Sequence, residues 1–154
     1  MVSSFGHRKI LSIREQHGRM LGACPSFQSR IEKGALVAVG DVQPTCRSVV
    51  YRVRIEYRAG DPPEVTVLSP KLVPREEGGR LPHMYPGEKL CLYTPYSGQW
   101  TPDMSLPHTV VPWISEWLFY YELWRVTGEW LGGGTEPVPK RTIRKEKEQS
   151  YERN

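Results

Sequence analysis

The chain has 154 residues, 38% of them hydrophobic and 25% charged, with a formal net charge of +4. That balance fits one domain of ordinary size with enough apolar material for a core. It excludes a disulfide framework and a structural zinc site, because the three cysteines (Cys24, Cys46, Cys91) are odd in number and far apart, no CxxC occurs, and the four histidines lack ligand spacing.

The N-terminus, MVSSFGHRK, has no apolar block suited to a secretory signal. A cytoplasmic location is the expectation. Residues 7 to 21 read as a short helix with Ile10, Ile13, His17 and Leu21 near one face and Gly22 as its stop. Its basic residues are either a solvated face or a docking face.

Strand signals follow. Phe27 to Glu32 is a weak candidate, and Ala35 to Val39 a short apolar one ending at Gly40-Asp41. In Ser48 to Arg58, Tyr51, Val53, Ile55 and Tyr57 alternate with Arg52, Arg54, Glu56 and Arg58, the period of a half-buried strand. Ala59 to Pro63 is a turn, and Glu64 to Leu68 a further strand ended by Ser69-Pro70. Strands joined by short turns predict an antiparallel four-stranded meander, which needs one face covered by helices.

Val73 to Gln99 shows no regular pattern and is punctuated by Pro74, Gly78, Gly79, Pro82, Pro86, Gly87, Pro95 and Gly98. Long loops inside a compact domain are either functional or disordered. The apolar and aromatic residues here, Leu81, Met84, Tyr85, Leu90, Leu92, Tyr93, Tyr96 and Trp100 among them, argue for order and so for function. Cys91 sits in this loop between Leu90 and Leu92, with His83 upstream and Lys89 next to it. A thiol attacks as thiolate, and a nearby cation lowers its pKa. Taken alone, Cys91 reads equally as a small buried hydrophobe.

The principal helix is expected over Pro112–Val126, with proline in its first turn and Gly128 as its cap. It is apolar nearly all round, so core packing on most faces is the expectation, and a partner surface the alternative. From Leu131, Gly132-Gly133-Gly134 opens a linker, giving a domain over residues 1–131 and a charged, disordered tail over 132–154. Lys140 to Asn154 holds six basic and three acidic residues, which leaves fifteen and fourteen for the first 139. The folded part is thus nearly neutral, and nucleic-acid binding is not favoured. No apolar run is long enough to span a bilayer, so no membrane partner is expected.

Helix, meander, long loop with a lone Cys, Trp-x-Pro corner and helix, in that order, resemble the ubiquitin-conjugating (UBC) fold, an α+β class. Leu81-Pro82-His83 stands at the place of that family's His-Pro-Asn triplet, and Cys91-Leu92 is similar to its catalytic Cys-Leu. Ser97 to Pro102 is similar to its Trp-Ser-Pro corner, and Tyr51–Tyr57 with Pro62-Pro63 to its second-to-third strand region. The similarity covers roughly residues 8 to 126. Leu81 stands where the family has His, His83 where it has the catalytic Asn, and the C-terminal end is shortened. With Val42-Gln43-Pro44-Thr45 and the Trp-rich helix, these features resemble the conjugating-enzyme-like proteins of short type II CBASS antiphage systems.

The resemblance implies that Cys91 forms a thioester with the C-terminus of a cGAS-like nucleotidyltransferase and passes it to an amine, without a cofactor or metal. His83 would donate to the oxyanion, act as base for the amine, or only brace the loop. Lys89 would depress the thiol pKa or lie solvated. Trp100 and Pro102 would fix the cysteine loop, Tyr93 and Tyr96 its rim, and Asp103 the incoming amine. No GxxxxGK loop occurs, so ATP chemistry would lie elsewhere. The alternative is a non-catalytic adaptor that grips a protein tail through the aromatic helix or the Arg52/Arg54/Arg58 face.

Overall fold

The computed structural model describes residues 8–75 and 79–137. Two helices and a six-stranded sheet follow in the order α1 (Ile13–Ala23), β1 (Gln28–Glu32), β2 (Ala35–Val42), β3 (Tyr51–Tyr57), β4 (Glu64–Ser69), β5 (Met84–Tyr85), β6 (Lys89–Leu90) and α2 (Val110–Thr127), with a 3₁₀ turn at Leu106–His108 before α2. The architecture is α+β. Sheet order is β1-β2-β3-β4-β6-β5, and every pairing is antiparallel.

α1 begins later than the periodicity predicts. Ser12 accepts from Glu15 N–H at 3.2 Å, and Glu15 returns a bond to Ser12 N–H at 2.8 Å. This reciprocal cap satisfies two orphan donors and fixes the first turn there; His7 lies outside the described residues. The expected stripe is also shifted. Ile10 and Leu21 are exposed, whereas Gln16 and Met20 are buried. Gln16 can be buried because both ends of its amide are bonded: Nε2 donates to Met104 O at 2.7 Å and Oε1 accepts from Leu106 N–H at 3.0 Å.

β2 runs through Gly40-Asp41 to Val42 rather than stopping at Val39. Gly40 is there for close approach: a Cβ on it would lie 2.5 Å from the Phe27 ring. Across β2 and β3 the register pairs Leu36 with Tyr57, Ala38 with Ile55, Gly40 with Val53 and Val42 with Tyr51. All eight are buried, so a single apolar face runs along both strands. On the other face Glu56 sits between Arg54 at 2.7 Å and Arg58 at 3.3 Å.

The expected four-stranded meander is therefore short by two strands. β5 and β6 form a tight hairpin in the loop where no pattern was legible, and β6 joins the sheet through the single pairing Thr66↔Lys89. Two residues per strand are too few for any alternation to show.

α2 ends as expected, at Gly128 with φ 79, whose N–H bonds Trp124 O at 2.8 Å. It buries Val110, Ile114, Trp117, Leu118, Tyr121 and Trp124, one stripe at spacings of three and four. These join the sheet face in one core. Polar ties fix the docking: Glu122 accepts from Ser48 Oγ at 2.7 Å and Tyr51 OH at 3.0 Å, while Arg125 donates to Val73 O and Pro74 O. Burial on most faces does not hold, since Phe119 and Val126 are exposed.

Candidate active site

A cleft of about 440 Å³ opens between the β6 end, the Cys91–Thr94 loop and a second stripe of α2. Trp113, Glu116, Trp117 and Tyr120 of α2 form one wall. They recur at the helical spacing and share Trp117 with the core stripe, so the apolar surface of the helix extends from the core into the cleft. Trp130 and Gly132 to Thr135 also line it, with Trp130 packed on Trp117 and Tyr120. Gly132–Glu136, expected as the start of a linker, thus runs along the cleft; residues 138–154 of the expected tail lie outside the described residues.

Cys91 and His83 meet in this cleft. The β5–β6 hairpin brings them together: Met84 pairs with Leu90, and Cys91 N–H donates to His83 O at 2.9 Å. The same carbonyl accepts from Trp117 indole N–H at 3.2 Å. His83 is buried, has φ 49 and stacks on Trp130 at 4.8 Å between ring centroids. Its N–H lies 3.0 Å from both carboxylate oxygens of Glu136, and its Nε2 3.3 Å from Oε2.

Cys91 Sγ donates to Tyr85 OH at 3.3 Å. Burial pushes the Cys91 thiol up; the bond to Tyr85 acts downward, and the Glu136 carboxylate adds to the upward push. The Tyr85 phenol is driven well above its ordinary value by burial and by the neighbouring thiol, so it stays neutral and can donate to a thiolate. The site thus brings together a nucleophilic sulfur and an imidazole in one cleft, with a phenol bonded to the sulfur.

A model of the family described as Type II CBASS E2 protein matches residues 16–137. The chain belongs to the type II CBASS E2 family. Membership implies a conjugating-enzyme-like role in CBASS antiviral defence and partnership with other CBASS components. Among curated proteins no match is found. In the CBASS E2 chain no helix among the described residues is long and apolar enough to cross a membrane.

The remaining candidate residues of this CBASS E2 protein fall in different places. Trp100 is buried, edge-on to Tyr57 at 5.3 Å and beside Tyr93 at 6.5 Å, and so holds the loop after Cys91. Pro102 anchors the chain before α1, accepting from Leu11 N–H at 3.0 Å. Tyr93 does line the cleft. Lys89 points elsewhere: its ammonium is tied to Glu64 at 2.7 Å across the pairing of β4 and β6. Asp103 is not at the cleft either. It accepts from Thr101 Oγ1 and faces Arg8 at 3.8 Å. Tyr96 is 82% exposed and lies with Glu56, Arg58 and Glu64 in a separate groove.

Sequence reasoning missed Tyr85, Trp117, Trp130 and Glu136 as site residues. Only the aromatic excess of α2 signalled any of them; the contacts of Glu136 with His83 span 53 positions.

Proposed function

We propose that this protein is a thioester-forming conjugating enzyme on a UBC-like scaffold, with Cys91 as the acyl-carrying nucleophile. Its donor is the C-terminus of a protein partner, a cGAS-like nucleotidyltransferase, and its acceptor is an amine. The observation that carries this reading is the joint placement of Cys91 Sγ against the Tyr85 hydroxyl, and of Cys91 N–H against the carbonyl of His83, in one aromatic cleft.

Covalent catalysis divides the transfer in two. The Cys91 thiolate attacks an activated carbonyl at the donor C-terminus, and the activating group leaves with its electron pair. An amine then attacks the thioester. Because burial raises the thiol, it has to lose its proton to solvent as the donor docks; Tyr85 O–H then donates to the sulfur anion, and His83 serves in the second step as acceptor of the amine's proton. A chemistry that depends on a reduced thiol belongs in a reducing compartment, and we place the protein in the cytoplasm.

The test is intact mass of the protein mixed with its activated donor, with and without reducing thiol. A thiol-labile adduct, absent in Cys91→Ala and converted to a thiol-resistant oxyester in Cys91→Ser, is expected. Donor binding with no adduct in the parent protein would leave an adaptor in place of an enzyme.

A further inference from the structure

We infer that Glu136 is a positioning residue for the transfer step: its carboxylate fixes His83 as the Nε2–H tautomer and so keeps Nδ1 free to take a proton. This rests on the assignment of Cys91 and His83 above.

An ionised carboxylate only accepts hydrogen bonds. Glu136 spans two groups of one residue, the His83 backbone N–H at 3.0 Å and Nε2 at 3.3 Å. A bond at Nε2 therefore requires the hydrogen to be there. Nδ1 has no hydrogen-bond partner among the described residues; the Gly134 backbone lies against that edge of the ring, where an added Cβ would sit 3.5 Å from Cε1 and 3.8 Å from Nδ1.

Stacking on Trp130 at an interplanar angle of 25° sets the plane of the ring, and the Glu136 carboxylate at 3.3 Å favours the orientation that presents Nε2, because a flipped ring would offer it only a carbon edge. With orientation settled, the tautomer alone decides whether the imidazole offers a lone pair or a hydrogen. The other titratable groups of the cleft, Cys91, Tyr93, Glu116 and Tyr120, make no hydrogen bond to the imidazole. Glu136 is thus the one described group that selects it, as outer carboxylates do for other functional histidines.

In the step itself the amine nitrogen bonds to the thioester carbonyl carbon and the C–S bond breaks, its electron pair leaving on sulfur. The amine proton passes to Nδ1 and from there to Sγ, which restores the Cys91 thiol and leaves an amide.

Glu136→Gln tests this. Glutamine has one oxygen, which the His83 backbone N–H claims, so its NH₂ group faces Nε2 and favours the Nδ1–H tautomer. The probes are a short peptide α-thioester exchanged onto Cys91 and free lysine as acceptor, with imidazole ¹H–¹⁵N spectra of the full chain. The parent should show Nε2–H. The Gln variant should show Nδ1–H and discharge the peptide about 10–100-fold more slowly while loading it no more slowly, a split that general loosening of the fold would not produce. In a His83→Ala background the substitution should have no further effect on discharge. Parental tautomer and parental discharge in the Gln variant would overturn the role of Glu136. A parent protein that never loads the peptide overturns the Cys91 assignment and this step with it.

Discussion

The sheet face and the cleft are built from similar residues and obey opposite rules. Along β2 and β3, apolar partners face each other in register and the backbone is regular. Around Cys91 the chain is contorted: of the four described non-glycine residues with positive φ, three, His83, Glu88 and Tyr96, lie between positions 83 and 96. Two buried polar atoms without a partner, Tyr93 Oη and Trp100 Nε1, lie in the same region. Such residues each cost on the order of 1 kcal/mol or more and persist where the surroundings over-determine them. The sheet thus supplies stability that the cleft region consumes to aim its side chains.

Substitutions can break this division from either side. The largest stability change is expected in the sheet: Ile55→Ala removes a fully buried side chain and should cost about 2–5 kcal/mol in urea unfolding. The fraction that stays folded should still load Cys91 at the parental rate. The converse is Tyr85→Phe, which removes the hydroxyl that bonds Sγ and would donate to the thiolate. Loading should slow by about tenfold, the size of one lost hydrogen bond to a charged group, with the unfolding midpoint unmoved. Equal loss of stability and loading in both variants would mean that the two regions are not separable.

Loading should also rise with pH, roughly tenfold per unit below the thiol pKa, because only the thiolate attacks. The Cys91 pKa is raised, so the rise should continue beyond pH 8.5, where an ordinary free thiol levels off. A plateau near pH 7 in stopped-flow loading would show that donor-free Cys91 is already ionised.

The smallest effect is expected far from both regions. Ser12→Ala breaks the reciprocal cap of α1 and should cost about 1 kcal/mol. Glu15 is held down at about 2, first by the Lys9 ammonium and then by Ser12. Its folded pKa is below the ordinary 4.5, so its contribution is complete above that value and fades as pH falls toward 2. Acid titration of unfolding should show a weaker dependence in this window for Ser12→Ala.

Much of the scaffold was legible. Alternation marked β3, a glycine in a left-handed cap marked the end of α2, and the spacing of proline, cysteine and tryptophan singled out Cys91 and His83. The start of α1 was misplaced because apolar periodicity alone set it, whereas the reciprocal bonds of Ser12 and Glu15 fix the first turn. Of the two readings open for Lys89, the structure has the surface one, and Asp103, offered as a partner for the amine, lies away from the cleft with Thr101 and Arg8. The pairing of β6 with β4 turns the Lys89 side chain to Glu64 while Cys91 turns into the cleft.

By itself, the sequence determined what depends on neighbours a few residues apart: strand alternation, helix caps, turn residues and the presence of one cysteine in an ordered loop. Local conformational preferences act over that range. Tertiary structure alone decided what meets across long separations: Gln16 with Met104 and Leu106, Trp117 with the carbonyl of His83, and Glu136 with its imidazole. Those contacts form only when packing of the sheet against α2 has brought distant segments together, and no periodicity in the chain encodes them.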